Sequence, residues 1–319
     1  MSFLRRTFSR LTDATTCALL NLAQWRHRHH AVTPELLHSY VTTCSTLDRP
    51  AFYAAPALRP TEESPRHLRW ASPYPLGFAA NDQASALLFE GPRGWRAPTV
   101  LLLHALMSVN DIGYRRLAAR FNQLGWNAAF LHLPFHYARR PGGYLNGELA
   151  ITADLVRNGQ ALRQGVTELR QLMAFLRARG GREFGLFGTS YGAWTGAVLA
   201  SLEQDISFIA FLVPITDVQH AMWRSPAGLT IRGLLRRNGI DESMTGQHAH
   251  LSSPLHGLPL TERNRIVLTV GAYDRIAPPD RVEALADAWG GGRVITSPQG
   301  HFGYVGTRDL FAAVREMIA

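Results

Sequence analysis

Residues 184–198 read FGLFGTSYGAWTGAV, and the change of character along this stretch decides the fold. Phe184–Phe187 is a short β-rich run, Gly188-Thr189-Ser190-Tyr191-Gly192 is a G-x-S-x-G turn, and Ala193–Val198 opens a helix of small residues. In a strand–turn–helix setting the serine takes a strained backbone at a sharp elbow, and the flanking glycines let strand and helix approach closely. A helix starting there also turns free N–H groups and its positive end toward a developing anion. Since a chain with 28 glycines can match the pentapeptide by chance, its flanks carry the reading.

Working outward, β-rich runs recur at Ala86–Phe89, Thr99–Leu103, Ala128–Leu133, Phe208–Val213, Ile266–Val270 and Val294–Thr296. Helical patterns lie between most of them. The clearest has Leu162, Val166, Leu169, Leu172, Met173 and Leu176 at three- and four-residue steps before Gly180-Gly181. Others fit Tyr114–Leu124, Ala193–Leu202, Arg281–Trp289 and Leu310–Ile318. Strands apolar on both faces and separated by helices predict an α/β fold, with a mainly parallel sheet covered on both sides. About fifty residues separate Val213 from Ile266, more than one crossover helix needs, and Trp223, Leu229, Ile231, Leu234 and Leu235 fall on helical spacing there. A helical lid insertion is expected over about residues 216–262, with Arg232, Arg236 and Arg237 toward solvent and Leu234 and Leu235 inward. Ala51–Pro65, rich in Ala and Pro, reads as a linker. It separates an N-terminal helical extension, with the linker residues 1–65, from a domain over residues 66–319.

A serine hydroxyl attacks a carbonyl only when a base takes its proton, and the base needs an acid to orient it. With 13 histidines in the chain, position must select the base. His301 lies between the last predicted strand and the last helix, and Asp274 follows the strand ending at Val270. Parallel strands open their C-terminal ends on one edge, so Ser190, Asp274 and His301 can converge there. Asp217, after the strand ending at Val213, is an alternative acid. The segments GTSYG (188–192), GAYDRIAPP (271–279) and QGHF (299–302) stand in the order Ser, Asp, His. From Thr99 to Ala319 the chain resembles the α/β-hydrolase superfamily, close to its bacterial esterase and lipase branches.

The resemblance implies a catalytic triad of Ser190, Asp274 and His301 and an oxyanion hole formed by the backbone N–H groups of Leu106 and Tyr191. Leu106 lies in His104-Ala105-Leu106-Met107, where Ala105 replaces the glycine usual in the family. The loop Leu133–Pro141 should reach the same edge of the sheet. His104, His136, Tyr137, Arg139 and Arg140 are candidates for a substrate wall. For His104 the other reading is a brace of the oxyanion loop, and for the loop residues a solvated surface. The implied reaction is hydrolysis of a carboxylic ester through an acyl-enzyme, on a small-molecule ester or acyl substrate, with no cofactor and no metal. Two alternatives stay open: an acyltransferase on the same triad, and a non-catalytic binding protein of the same fold. The His-x-x-x-x-Asp acyltransferase signature is absent at His104, where position 109 is Val109.

All 33 basic residues are arginine, set against 24 acidic ones, and +4 of the net +9 lies within residues 1–30. So mild a surplus, without zinc-finger spacing or an interleaved aromatic run, argues against nucleic-acid binding. Leu4, Phe8, Leu11 and Thr15 share one helical face, with Arg5, Arg6 and Arg10 elsewhere on the helix. That pattern fits weak contact with an anionic membrane surface, or packing on the chain's own domain. The segment is too interrupted for a signal peptide or a membrane span. Cys17 and Cys44 both precede the domain and give it no disulfide framework, so a reducing compartment is expected: the cytoplasm, with peripheral attachment to the inner membrane as a variant. No segment specifies an oligomeric state.

Overall fold

The computed structural model describes residues 2–318. Among them, nine strands form one sheet: β1 (Pro60–Ser64), β2 (His67–Ala71), β3 (Gln83–Phe89), β4 (Thr99–Leu103), β5 (Asn127–His132), β6 (Phe184–Thr189), β7 (Ile206–Leu212), β8 (Ile266–Gly271) and β9 (Arg293–Ser297). Their order is β1-β2-β3-β5-β4-β6-β7-β8-β9. The first three pair antiparallel and β3 is antiparallel to β5, while every pairing from β5 to β9 is parallel. All seven β-rich runs of the sequence are strands.

The parallel half exists because its strands are apolar on both faces, and their alternation sorts side chains into two cores. Leu101 and Leu103 of β4 join the core beneath α5 (Leu155–Ala178), α6 (Tyr191–Ala200) and α11 (Pro279–Ala288). Val100 and Leu102 point the other way, toward α4 (Ile112–Gln123) and α12 (Val305–Ile318). Three helices precede the sheet: α1 (Ser2–Trp25), α2 (Pro34–Cys44) and α3 (Arg49–Phe52). Between β7 and β8 the expected insertion is helical, with α7 (Val218–Trp223), α8 (Leu229–Arg237), α9 (Glu242–Gly246) and α10 (Ala249–Ser252). Leu234 and Leu235 are buried, Arg236 and Arg237 are exposed, and Arg232 is half-buried, donating to the Ser225 carbonyl.

Two expectations change. The stretch read as a linker, Ala51–Pro65, contains α3's Phe52 and all of β1, which pairs antiparallel with β2. Every residue of β1 is exposed, so this edge strand has no apolar alternation to reveal it. The second change concerns α1. It does pack on the domain, but through Asp13, Cys17, Ala23 and Gln24, while Leu4, Phe8 and Leu11 remain 74%, 73% and 65% exposed. The apolar stripe is therefore the outer face, and a more polar face is the buried one.

The extension and the insertion form one roof. Val32, Leu37 and Val41 share a third apolar cluster with Trp223, Ile231, Leu234, Leu235 and Ile240. Asn21 of α1 donates to the Pro226 carbonyl (2.9 Å) and accepts from the Thr230 N–H (2.7 Å). Gln24 donates to the Ile151 carbonyl, and His27 meets the buried Glu148 at 3.0 Å. Among the described residues no helix is long and apolar enough to cross a membrane.

Candidate active site at the sheet edge

Ser190 occupies the turn between β6 and α6 with φ 51° and ψ −110°, a left-handed conformation that a side-chain-bearing residue holds only when its surroundings enforce it. Its N–H donates to the Leu212 carbonyl (2.9 Å), and its own carbonyl accepts from the Trp194 N–H (3.0 Å). The glycines on either side are sterically required. A Cβ on Gly192 would lie 2.5 Å from backbone atoms of Leu103 and His104, and one on Gly188 would lie 2.8 Å from the Ala193 Cα.

From this elbow Ser190 Oγ lies 2.8 Å from His301 Nε2, and His301 Nδ1 lies 2.7 Å from Asp274 Oδ2. Asp274 Oδ1 accepts from the N–H groups of Ile276 (2.8 Å) and Ala277 (2.9 Å), so the carboxylate is held at both oxygens. All three residues are buried. With Nδ1–H donating to the carboxylate, Nε2 is left as the acceptor for the serine proton. Burial alone would push the imidazole down. The attraction and hydrogen bond of Asp274, aided by the charge of Asp13, outweigh it and raise the His301 pKa above its ordinary 6.5.

Asp217, the alternative acid, is not in this line. It caps α7 by accepting from the His220 N–H (2.9 Å) and meets Arg281 at 3.4 Å.

The loop after β4 is stitched to the loop after β5 by two neutral histidines. The Leu133 N–H donates to His104 Nε2 (3.0 Å), so the His104 proton is on Nδ1, which donates to the Ala105 carbonyl. Likewise the Met107 N–H donates to His136 Nε2 (3.2 Å), and His136 Nδ1–H donates to the Pro134 carbonyl (2.8 Å). Burial holds both imidazoles below their ordinary range, His136 at about 4. The amide of Ala105 is used by the Tyr114 hydroxyl (3.1 Å). Among the described residues the N–H groups of Leu106 and Tyr191 make no hydrogen bond, and both residues line the same cavity as Ser190.

Four of the five substrate-wall candidates are tied into the scaffold, and the fifth, Arg140, lies on the surface. None of His104, His136, Tyr137, Arg139 or Arg140 lines that cavity. Arg139 is fully buried, paired through both terminal nitrogens with the equally buried Glu168, and it donates to the Asn81 and His132 carbonyls. It is a structural ion pair, of the kind whose breaking costs about 3–5 kcal/mol. Tyr137 hydrogen-bonds the Asn110 carbonyl through its hydroxyl (3.3 Å), and Arg140 is exposed. Sequence proximity to a strand end cannot tell a cavity wall from a buried brace.

The cavity holds about 820 Å³. Ser190, Leu106 and Trp194 line its floor, Ile215, Met222 and Ile231 its insertion side, and Leu37 and Val41 of α2 another wall. Thr12, Thr16, Leu20 and Gln24, spaced four apart, bring one face of α1 onto it as well. Asp13, beside that face, hydrogen-bonds the backbone of His301 and Phe302 (2.9 and 3.2 Å). Sequence reading missed these α1 residues. The one available signal was an acidic side chain, the only one within residues 1–30, in the middle of a helix otherwise free of them.

No protein-family model matches the chain. Two proteins of Mycobacterium tuberculosis, Rv2627c of strain H37Rv and MT2702 of strain CDC 1551, are each 26% identical over 256 residues, covering 79% of this chain. The chain spans 59% of the length of these curated relatives. Among solved structures, acetyl xylan esterase 1 from Thermoanaerobacterium sp. JW/SL YS485 matches with a TM-score of 0.60 at 16% identity, over 90% of this chain and 95% of that one. The acetyl xylan esterase from Paenibacillus sp. R4 matches at 0.58 with 13% identity, over 88% and 92% of the two chains. The alpha/beta hydrolase GrgF from Penicillium sp. sh18 matches at 0.54 with 11% identity, over 79% and 96%. At these identities the likeness is one of fold.

Proposed function

We propose, taking the α/β-hydrolase fold of this chain as the premise, that the protein is a serine hydrolase cleaving carboxylic esters with an apolar acyl part. The observation that carries this reading is the hydrogen-bonded line from Ser190 Oγ through His301 to Asp274, opening on the floor of an apolar cavity. In the reaction, Nε2 of His301 takes the hydroxyl proton as Ser190 Oγ bonds to the ester carbonyl carbon. The N–H groups of Leu106 and Tyr191 meet the oxyanion. His301 returns the proton to the leaving alcohol, and water repeats the sequence to release the acid. Solved structures of like fold that are named as esterases support an ester as substrate, and the lining of the cavity supports an apolar acyl group. The test is labelling of the folded protein with a fluorophosphonate probe, followed by mapping of the adduct. Label on Ser190 is expected, with p-nitrophenyl ester turnover falling by about 10⁶ in Ser190→Ala. An unlabelled Ser190, together with full turnover in the alanine variant, would overturn the reading.

We also propose that the outer face of α1 meets an anionic lipid surface. Leu4, Phe8, Leu11, Leu19 and Leu22 are each more than 60% exposed on this helix, and Arg5, Arg6 and Arg10 beside them supply the complementary charge. The protein should co-sediment with phosphatidylglycerol vesicles and not with phosphatidylcholine ones, and F8S/L11S should abolish this while keeping soluble-ester turnover. Equal sedimentation of wild type and variant would count against the surface.

A further inference from the structure

We infer that Asp13 is a positioning residue of the active site: the carboxylate presented by α1 fixes the backbone of His301 and so sets the imidazole against Ser190. The inference rests on the proposed triad.

Its geometry is specific. Asp13 is buried, and its two oxygens each take a different amide of the loop, Oδ2 the His301 N–H at 2.9 Å and Oδ1 the Phe302 N–H at 3.2 Å. The loop lies so close that a Cβ on Gly300 would sit 2.3 Å from Asp13 Oδ2, so residue 300 must be glycine for the contact to exist. From the other side, the Gln299 side chain accepts from the Gly306 N–H (2.9 Å) and donates to the Gly303 carbonyl (3.0 Å). The Gln299 carbonyl accepts from the Tyr273 N–H (3.0 Å). None of these Gln299 bonds reaches the amide of His301. Asp13 alone among the described residues holds it, and α1 can serve as an anchor because Asn21, Gln24 and His27 tie it to the insertion and to the loop before α5.

The site also carries charge. The ionisable groups facing the His301 imidazole are Asp274 from the turn after β8 and Asp13 from α1. Cys17, one helical turn along from Asp13, has its thiol pushed up to about 11 by burial and the two carboxylates, with the charge of Arg275 opposing the rise, and stays uncharged. Burial raises the Asp13 pKa, and the two backbone hydrogen bonds oppose the rise. A carboxylate at this place favours the imidazolium that forms when Ser190 attacks.

The test is Asp13→Asn in the full chain, read by steady-state hydrolysis of a p-nitrophenyl ester per folded molecule. An amide offers one acceptor oxygen but turns its NH₂ toward the second backbone N–H, so the loop shifts. The expected result is a fall in kcat of about 10- to 100-fold, with KM within a factor of two because Asp13 does not line the cavity. The acid limb of kcat/KM should move to lower pH, a displacement that loss of packing alone does not produce. Unchanged kcat and an unmoved acid limb in folded Asp13→Asn would overturn the inference, as would a deficit explained wholly by the fraction unfolded. Should the variant not fold, hydrogen exchange in the wild type decides: the amides of His301 and Phe302 should exchange as slowly as those of β8, and exchange at open-loop rates is the contrary result. Failure of the triad itself shows separately, as no fluorophosphonate label on wild-type Ser190, and would take this inference with it.

Discussion

Asp274 and Asp217 both follow strands of the same sheet, and the difference between them lies in where their oxygens go. Asp274 spends one oxygen on two backbone amides and aims the other at His301, while Asp217 spends its carboxylate on the amide of His220 and on Arg281. Asp274→Asn should therefore lower kcat by about 10⁴ through the wrong imidazole tautomer, whereas Asp217→Asn should leave it within a few-fold. Steady-state kinetics of the pair checks this, and the reverse ranking would exchange their roles. The raised pKa of His301 also sets a sign for pH dependence. On the proposed mechanism His301 must be neutral to act as base, so kcat/KM should fall as pH drops through a midpoint above 6.5. The favourable contacts of the protonated imidazole stabilise the fold fully below the unfolded value and are lost as pH rises through the folded one. Ser190, Asp274 and His301 were legible because each is tied to a strand end by a short motif. Arg139 misled for a physical reason: a guanidinium in a loop looks available, and only the position of Glu168 on α5, 29 residues away, shows that it is taken.

The strands of the parallel half could be read directly, since burial on both faces leaves a continuous apolar run. The hairpin β1–β2 could not, because the Pro-Thr-Glu-Glu-Ser of an exposed edge carries no periodicity. α1 was legible as a helix and misread as to its face. Apolar stripes normally mark the buried side, but here Thr12, Thr16, Leu20 and Gln24 line the cavity while Leu4, Phe8 and Leu11 face outward. On the proposed function, a helix lining the cavity should influence which acyl chains fit there. Leu20→Trp adds bulk to that lining, so the ratio of kcat/KM for p-nitrophenyl octanoate over acetate should fall about tenfold, the equivalent of roughly two buried methylenes. An unchanged ratio would show that the acyl chain lies elsewhere.

Across the whole molecule, the sheet alone does not complete the site. Ser190, Asp274 and His301 sit just past strand ends, but the cavity walls come from the insertion and from α2, and the His301 loop leans on α1. Fold class followed from local patterns repeated along the chain. The roof did not, because it depends on contacts such as Asn21 with Thr230, 209 residues apart, for which neither partner carries a mark.

The bond between Asp13 and the amide of His301 joins residues 288 apart. On a ribosome adding ~5–20 residues per second, α1 waits roughly 15–60 s for its partner. Until then the elbow can fold and Ser190 can take its strained conformation, yet His301, the base of the proposed mechanism, is not in place. On the proposed mechanism, a chain stalled between these two segments lacks that support, and the site is complete only when α1 meets the loop that follows β9.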